Sequence, residues 1–217
     1  MPVTHAVRIV PAILTDSLPD LQTMLRVSAC FTDYVQVDFM DGEFVPSRSV
    51  DVAGITSLDI TCGWEAHLMV RQPESHFETC RQAGAAKVIF HFEATQHPHD
   101  VVAKARTMGL GVGLAVNPET PIEAFAGLAG AVDSVLFLSV HPGYYGATFL
   151  PEVLEKIKRF NALGTGVLTG IDGGVKEANI TEIAATGVDD ICVGSAVFLQ
   201  DDPAASFRRL QTLANFG

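Results

Sequence analysis

Short runs of apolar and β-branched residues recur along the chain, and between them apolar positions fall three and four residues apart. The first pattern marks strands and the second marks amphipathic helices. Strands are expected at 7–13 (VRIVPAI), 34–39 (YVQVDF), 64–69 (WEAHLM), 87–92 (KVIFHF), 111–116 (GVGLAV), 133–140 (DSVLFLSV), 166–171 (GVLTGI) and 189–194 (DDICVG). Segments 151–164 and 176–187 carry the helical period. Thr120-Pro121-Ile122-Glu123 reads as a capping box with proline at the first helical position, and Asp202-Pro203 repeats that start. Gly187 sits where a helix should stop. Landmarks at Ile13, Asp38, His67, His91, Asn117, His141, Asp172 and Gly194 follow one another at intervals of 22 to 31 residues. That interval is one strand–helix unit, and eight units with no linker predict an α/β fold, a single (β/α)8 TIM barrel over residues 1–217. An open doubly wound sheet also alternates strand and helix, but it wants a glycine-rich turn after its first strand. Pro11-Ala12-Ile13-Leu14 is not such a turn.

In a barrel of this kind the active site forms at the C-terminal ends of the strands. Side chains alternate along a strand, so Val35, Val37 and Phe39 suit the helix-facing side of the second strand. Gln36, Asp38 and Met40 then point inward, and by the same logic Glu65, His67 and Met69 share a face of the third strand. Asp172 ends the seventh strand, followed by Gly173-Gly174. Any one of these polar residues alone would read as a cap or a loop contact. Two aspartates and a histidine converging on one rim instead make a divalent metal site with a carboxylate free to move protons. Met40 and Met69 could be core filler, but they share faces with those candidates.

Three loops rich in glycine follow adjacent strands: His141-Pro142-Gly143-Tyr144-Tyr145-Gly146, Asp172-Gly173-Gly174 and Gly194-Ser195. Loops in these positions hold phosphate with backbone N–H groups, and glycine lets the backbone come close. His91 stands at a strand end, where a structural hydrogen bond and a substrate contact are both open. His97 and His99 lie in a polar loop and read as solvated, and Trp64 reads as packing.

The composition narrows the chemistry. Lys and Arg number 14 against 25 Asp and Glu, for a net charge of −11. Such a field repels phosphate backbones, so nucleic acid is not an expected partner, and a phosphorylated substrate has to be caught by backbone amides. None of the lysines (Lys87, Lys104, Lys156, Lys158, Lys176) ends a strand, which removes a Schiff-base aldolase, and both a nucleophile elbow and a P-loop are absent. The four cysteines show no CxxC pair, and no apolar run approaches the ~18 residues of a membrane span. A soluble cytoplasmic protein is expected, with homo-oligomerisation left open.

Six motifs resemble the signatures of the ribulose-phosphate 3-epimerase family. They are Val37-Asp38-Phe39-Met40-Asp41-Gly42 with Phe44-Val45-Pro46, His67-Leu68-Met69-Val70, Asn117-Pro118-Glu119-Thr120-Pro121, Ser139-Val140-His141-Pro142-Gly143, Asp172-Gly173-Gly174-Val175 and Gly194-Ser195-Ala196. The matches run in the family's order from Pro11 to about Phe198. The resemblance implies a barrel that interconverts D-ribulose 5-phosphate and D-xylulose 5-phosphate with a divalent ion (Zn, Fe, Mn or Co). It implies Asp38 and Asp172 as acid/base pair and metal ligands, and His67 as a third ligand. Met40 and Met69 would cap the reacting carbon, and Gly143, Tyr144, Tyr145, Gly146, Gly173, Gly174, Gly194 and Ser195 would hold the phosphate.

The chain departs from the family pattern near the site. Gln36 replaces a histidine ligand and, as a neutral amide, should hold metal more weakly. Ala12 replaces a serine, Leu138 stands where methionine is common, and Tyr145-Gly146-Ala147 alters the glycine loop. These changes keep two alternatives alive: an epimerase of another ketose phosphate such as a hexulose 6-phosphate, and a non-catalytic phosphosugar-binding barrel. A lyase or decarboxylase of related barrels is disfavoured, because no lysine lies between Asp38 and Asp41.

Overall fold

A computed structural model describes residues 6–143 and 147–217. Eight strands form a closed barrel in sequence order, β1 (Arg8–Ile13), β2 (Tyr34–Met40), β3 (Gly63–Met69), β4 (Lys87–His91), β5 (Gly111–Val116), β6 (Ser134–Leu138), β7 (Leu168–Asp172) and β8 (Asp190–Val193). All eight pairings are parallel, including the seam between β1 and β8 that closes the ring. Each expected strand is present, with ends that differ by at most two residues. The expected (β/α)8 barrel is the observed fold.

Around the ring lie α1 (Leu18–Ser28), α2 (Phe77–Gln82), α3 (Pro98–Thr107), α4 (Ile122–Phe125), α5 (Glu152–Asn161), α6 (Ile180–Ala184), α7 (Ser195–Phe198) and α8 (Pro203–Phe216). The crossover from β2 to β3 carries a 3-10 turn at Val52–Ser57 in place of an α-helix. The Asp202 carboxylate accepts from Ala205 N–H at 2.9 Å, with Pro203 opening α8 as expected. Gly187 takes φ +81° after α6, the left-handed stop that glycine adopts without strain. The capping box at Thr120 does not form. Pro121 is itself the cap residue of a four-residue α4, and the Thr120 hydroxyl donates instead to Glu93 Oε1. A cap would need that oxygen to accept an N–H, but Pro121 stays extended (ψ 148°) and the helix begins one residue too late for Thr120 to reach it.

Two apolar layers fix the frame. Val35, Val37, Phe39, Trp64, Ala66 and Leu68 face outward and pack under the helices. Their inward alternates share the barrel lumen with Val10, Ala12, Ile89, Ala115, Leu136, Leu138 and Cys192. A third cluster, Met40, Val45 and Met69 with Leu14 and Phe44, sits over the mouth. Among the described residues no helix is long and apolar enough to cross a membrane.

Candidate active site

Strand register brings the cluster together. Gln36 pairs with Ala12 on β1 and Glu65 on β3, Asp38 faces His67, and Asp172 faces Cys192. Parallel neighbours at matched depth put their inward side chains in one layer, so residues 134 positions apart, Asp38 and Asp172, meet in the same mouth. One ligand atom each from Asp38, His67 and Asp172 lies within 4.8 Å of the others. His67 Nδ1 is 3.0 Å from Asp38 Oδ1 and 3.5 Å from Asp172 Oδ2. Gln36, fully buried, joins through its amide nitrogen. Nε2 donates to Asp38 Oδ1 and to Asp172 Oδ2, both at 2.8 Å, while Oε1 accepts from Cys192 Sγ at 3.3 Å. Its oxygen, the atom expected to face a metal, points away from the cluster.

Burial is the largest single influence on Asp38, His67 and His91. It pushes the Asp38 carboxyl up, and the nearby Asp172 charge adds to this against the opposing effects of His67 and Gln36. For His67, burial alone would lower the imidazolium pKa, but the two carboxylates outweigh it and hold it at about 10. His67 Nε2 is 2.9 Å from His91 Nε2, and the rings stack at 5.1 Å. Burial lowers the His91 pKa, so a neutral His91 accepts from His67 and fixes that ring's orientation. The site thus gives His91 a contact with His67, one of the two roles the sequence left open.

The cluster lines a cavity of about 490 Å³, within the usual size of a small-molecule site. Met40, Met69, Gly143, Gly173, Gly174, Gly194 and Ser195 line it together with Asp38, His67 and Asp172. Tyr144, Tyr145 and Gly146 lie outside the described residues. Gly173 (φ +112°) and Gly174 (φ +65°) adopt conformations closed to ordinary side chains, and added Cβ atoms would meet Val140 and Phe149 at 2.5 and 2.9 Å. The buried Ser139 hydroxyl donates to the Gly173 carbonyl at 2.7 Å, with the Asp172 carbonyl 3.0 Å away, which anchors that turn. His141, by contrast, is exposed and pairs with Glu119 at 2.7 Å. His97 and His99 are exposed, and Trp64 packs in the outer core, as expected.

Sequence reasoning missed three contributors. Ser139 was visible only as a motif letter, and Cys192 as an isolated thiol. Lys176 Nζ donates to Ser195 Oγ at 2.6 Å and lines the cavity, so one ammonium does stand beside the glycine loops. Its signal was its place four residues beyond a strand-end aspartate.

Does the cluster suit a divalent ion? Two carboxylate oxygens and one imidazole nitrogen, converging and buried, are the right donor chemistry for a first-row metal. Asp38, His67 and Asp172 would hold it.

Solved structures of similar fold define the architecture. The chain matches 3-hexulose-6-phosphate synthase from Salmonella typhimurium with a TM-score of 0.73 at 15% identity, covering 96% of this chain and 98% of that one. It matches KGPDC from Streptococcus mutans with a TM-score of 0.76 at 13% identity over 98% and 100% of the two chains. At such identities the likeness establishes the barrel architecture alone. Sequence supplies the rest. Ribulose-phosphate 3-epimerase of Mycobacterium tuberculosis is 38% identical over 190 residues, 84% of this chain and 82% of the relative. The Escherichia coli K12 enzyme of that name is 34% identical over 202 residues, 89% and 90% of the two chains. The profile of the ribulose-phosphate 3-epimerase family matches residues 8–198, and the chain belongs to that family, an isomerase.

Proposed function

We propose that this chain epimerises D-ribulose 5-phosphate and D-xylulose 5-phosphate at C3, with Asp38 and Asp172 as the proton-transferring pair. The observation that carries the reading is the meeting of those two buried carboxylates, from β2 and β7, around one point of the mouth. Inverting a carbon beside a ketone requires removal of a proton from one face and delivery to the other. Two carboxylates on separate strands can flank the substrate and exchange roles with the direction of reaction. Burial raises the Asp38 carboxyl toward the working range of a general acid. His67 sits against both Asp38 and Asp172 and is held by His91, so the pair keeps its orientation.

A divalent ion held by Asp38, His67 and Asp172 would supply Lewis-acid polarisation of the substrate oxygens, where charge develops. Met40 and Met69 exclude water above the reacting carbon. Backbone groups of Gly143, Gly173, Gly174, Gly194 and Ser195, with Lys176 beside them, take the phosphate. The free thiols Cys30, Cys62, Cys80 and Cys192 suit a reducing cytoplasm.

A coupled assay on D-ribulose 5-phosphate, run beside a hexulose 6-phosphate and an unphosphorylated pentulose, tests the proposal. Turnover of the pentulose phosphate at a kcat/KM well above the other two supports it. A preference for the hexulose phosphate moves the substrate, and no turnover of any sugar leaves a binding barrel.

A further inference from the structure

Gln36 Nε2 lies close to all three candidate ligand atoms at once: 2.8 Å from Asp38 Oδ1, 2.8 Å from Asp172 Oδ2 and 3.4 Å from His67 Nδ1. Both of its hydrogens are committed to carboxylates. An ion held by the same three atoms at the ~2.0–2.2 Å typical of such ligands would meet those hydrogens at contact distance. Partial positive charge is the wrong neighbour for a cation. The NH2 group and the ion therefore compete for one set of acceptors.

A carboxamide can change sides. Turning it over exchanges nitrogen for oxygen in nearly the same space. With the cluster empty of cation, the turned amide would set a carbonyl oxygen against two carboxylates and lose both strong bonds. All it would gain is a donor toward Cys192 Sγ, a weak acceptor. With a cation in place the preference inverts, because the oxygen becomes a fourth donor and the NH2 group escapes the ion. Each orientation of Gln36 matches one occupancy of the cluster.

We propose that the Gln36 carboxamide is a built-in substitute for the cation: its NH2 group closes the metal-free cluster, and a divalent ion enters only by turning the amide over. The proposal rests on reading Asp38, His67 and Asp172 as metal ligands, so its test uses cation alone, without sugar. Its failure and the failure of the epimerase reading then remain distinct.

Chelator-stripped protein, Gln36→His and Gln36→Leu are titrated with Zn2+ by calorimetry, and side-chain amide resonances are followed by 1H–15N NMR. The pair absent from Gln36→Leu identifies Gln36. The expected result is a Zn2+ dissociation constant about 10–100-fold weaker for the natural chain than for Gln36→His, the scale on which groups around a metal tune affinity. The Gln36 amide pair should be sharp and slow to exchange without metal, and it should move on saturation. Metal-free Gln36→Leu should melt below the metal-free natural chain and regain the difference with Zn2+. Binding by Gln36→His alone would overturn the proposal, because the amide would then exclude the ion rather than yield to it. Equal affinities, an amide pair unmoved at saturation, or binding by neither protein would overturn it.

Discussion

The barrel buries polar groups at both ends, and the two ends treat charge in opposite ways. At the N-terminal end of the strands, Lys87 Nζ lies 2.7 Å from Glu65 Oε2, Tyr34 OH donates to the same carboxylate at 3.0 Å, and Arg8 pairs with Asp190 at 2.7 Å. Each of these two carboxylates has its own cation. At the C-terminal mouth, Asp38 and Asp172 share one imidazole and one amide, and among the described residues no lysine or arginine bonds to either. Burial is comparable at the two ends, with Glu65 2% and Asp38 7% exposed. Neutralised charge gives a scaffold, and charge left short of partners gives a place for a cation, a proton or a substrate.

That contrast can be broken by exchanging what the two ends lose. Asp172→Asn should lower kcat by roughly 10²–10⁴-fold, the usual cost of a lost general acid or base, with little change in melting temperature. Near-normal turnover would remove Asp172 from the chemistry. At the other end, Lys87→Met strands the Glu65 carboxylate and should cost about 3 kcal/mol, roughly 6–12 °C of melting temperature, while turnover at low temperature stays near normal. Thermal scans beside initial rates read both variants. If each variant lost both properties, the division of labour would be wrong.

Smaller effects sharpen the picture of the mouth. Gly194→Ala is a cleaner probe of phosphate capture than a change at Gly174, because Gly194 has an ordinary φ of −94° and its new Cβ would meet only Ala12 O, at 3.2 Å. KM for a sugar phosphate should rise several-fold with kcat retained, and inorganic phosphate should compete. The smallest effect concerns Glu93. Burial raises its carboxyl, but the His91 ring 3.6 Å away and donors from Thr120 and Asn117 N–H outweigh this and hold it below its usual 4.5. A depressed carboxyl stabilises the fold above its unfolded pKa and loses that contribution as pH falls through the folded value. Glu93→Gln should therefore melt below the natural chain at pH 7, and the gap should narrow on acidification below about pH 4.5. A gap independent of pH would show that the charge of Glu93 does not contribute.

Legibility followed locality. Alternation along YVQVDFM and GWEAHLM assigns inward and outward residues without any partner, so Asp38 and His67 were readable, and a glycine pair after a strand marked Asp172. The turn of the Gln36 amide was not readable, because it depends on Cys192, 156 residues away, and on Asp172, 136 away. Ser139 and Lys176 act through a carbonyl and a hydroxyl of neighbouring loops, contacts that no spacing encodes. Thr120 misled for the mirror reason. Its local capping pattern was sound, but the helix starts one residue later at Ile122, and the Thr120 hydroxyl is turned toward the distant Glu93.

The seam between β1 and β8 has a consequence for a chain that emerges from the ribosome one residue at a time. Arg8 meets Asp190, 182 positions further on, and Asn215 both accepts from Val7 N–H and donates to Val7 O. Until β8 is made, the outer edge of β1 carries unpaired N–H and C=O groups beside the apolar run Ile9-Val10. This is the kind of edge that recruits foreign strands. Arg8, at the start of that edge, is a charge that discourages mispairing during the wait and becomes half of a salt bridge when the ring closes.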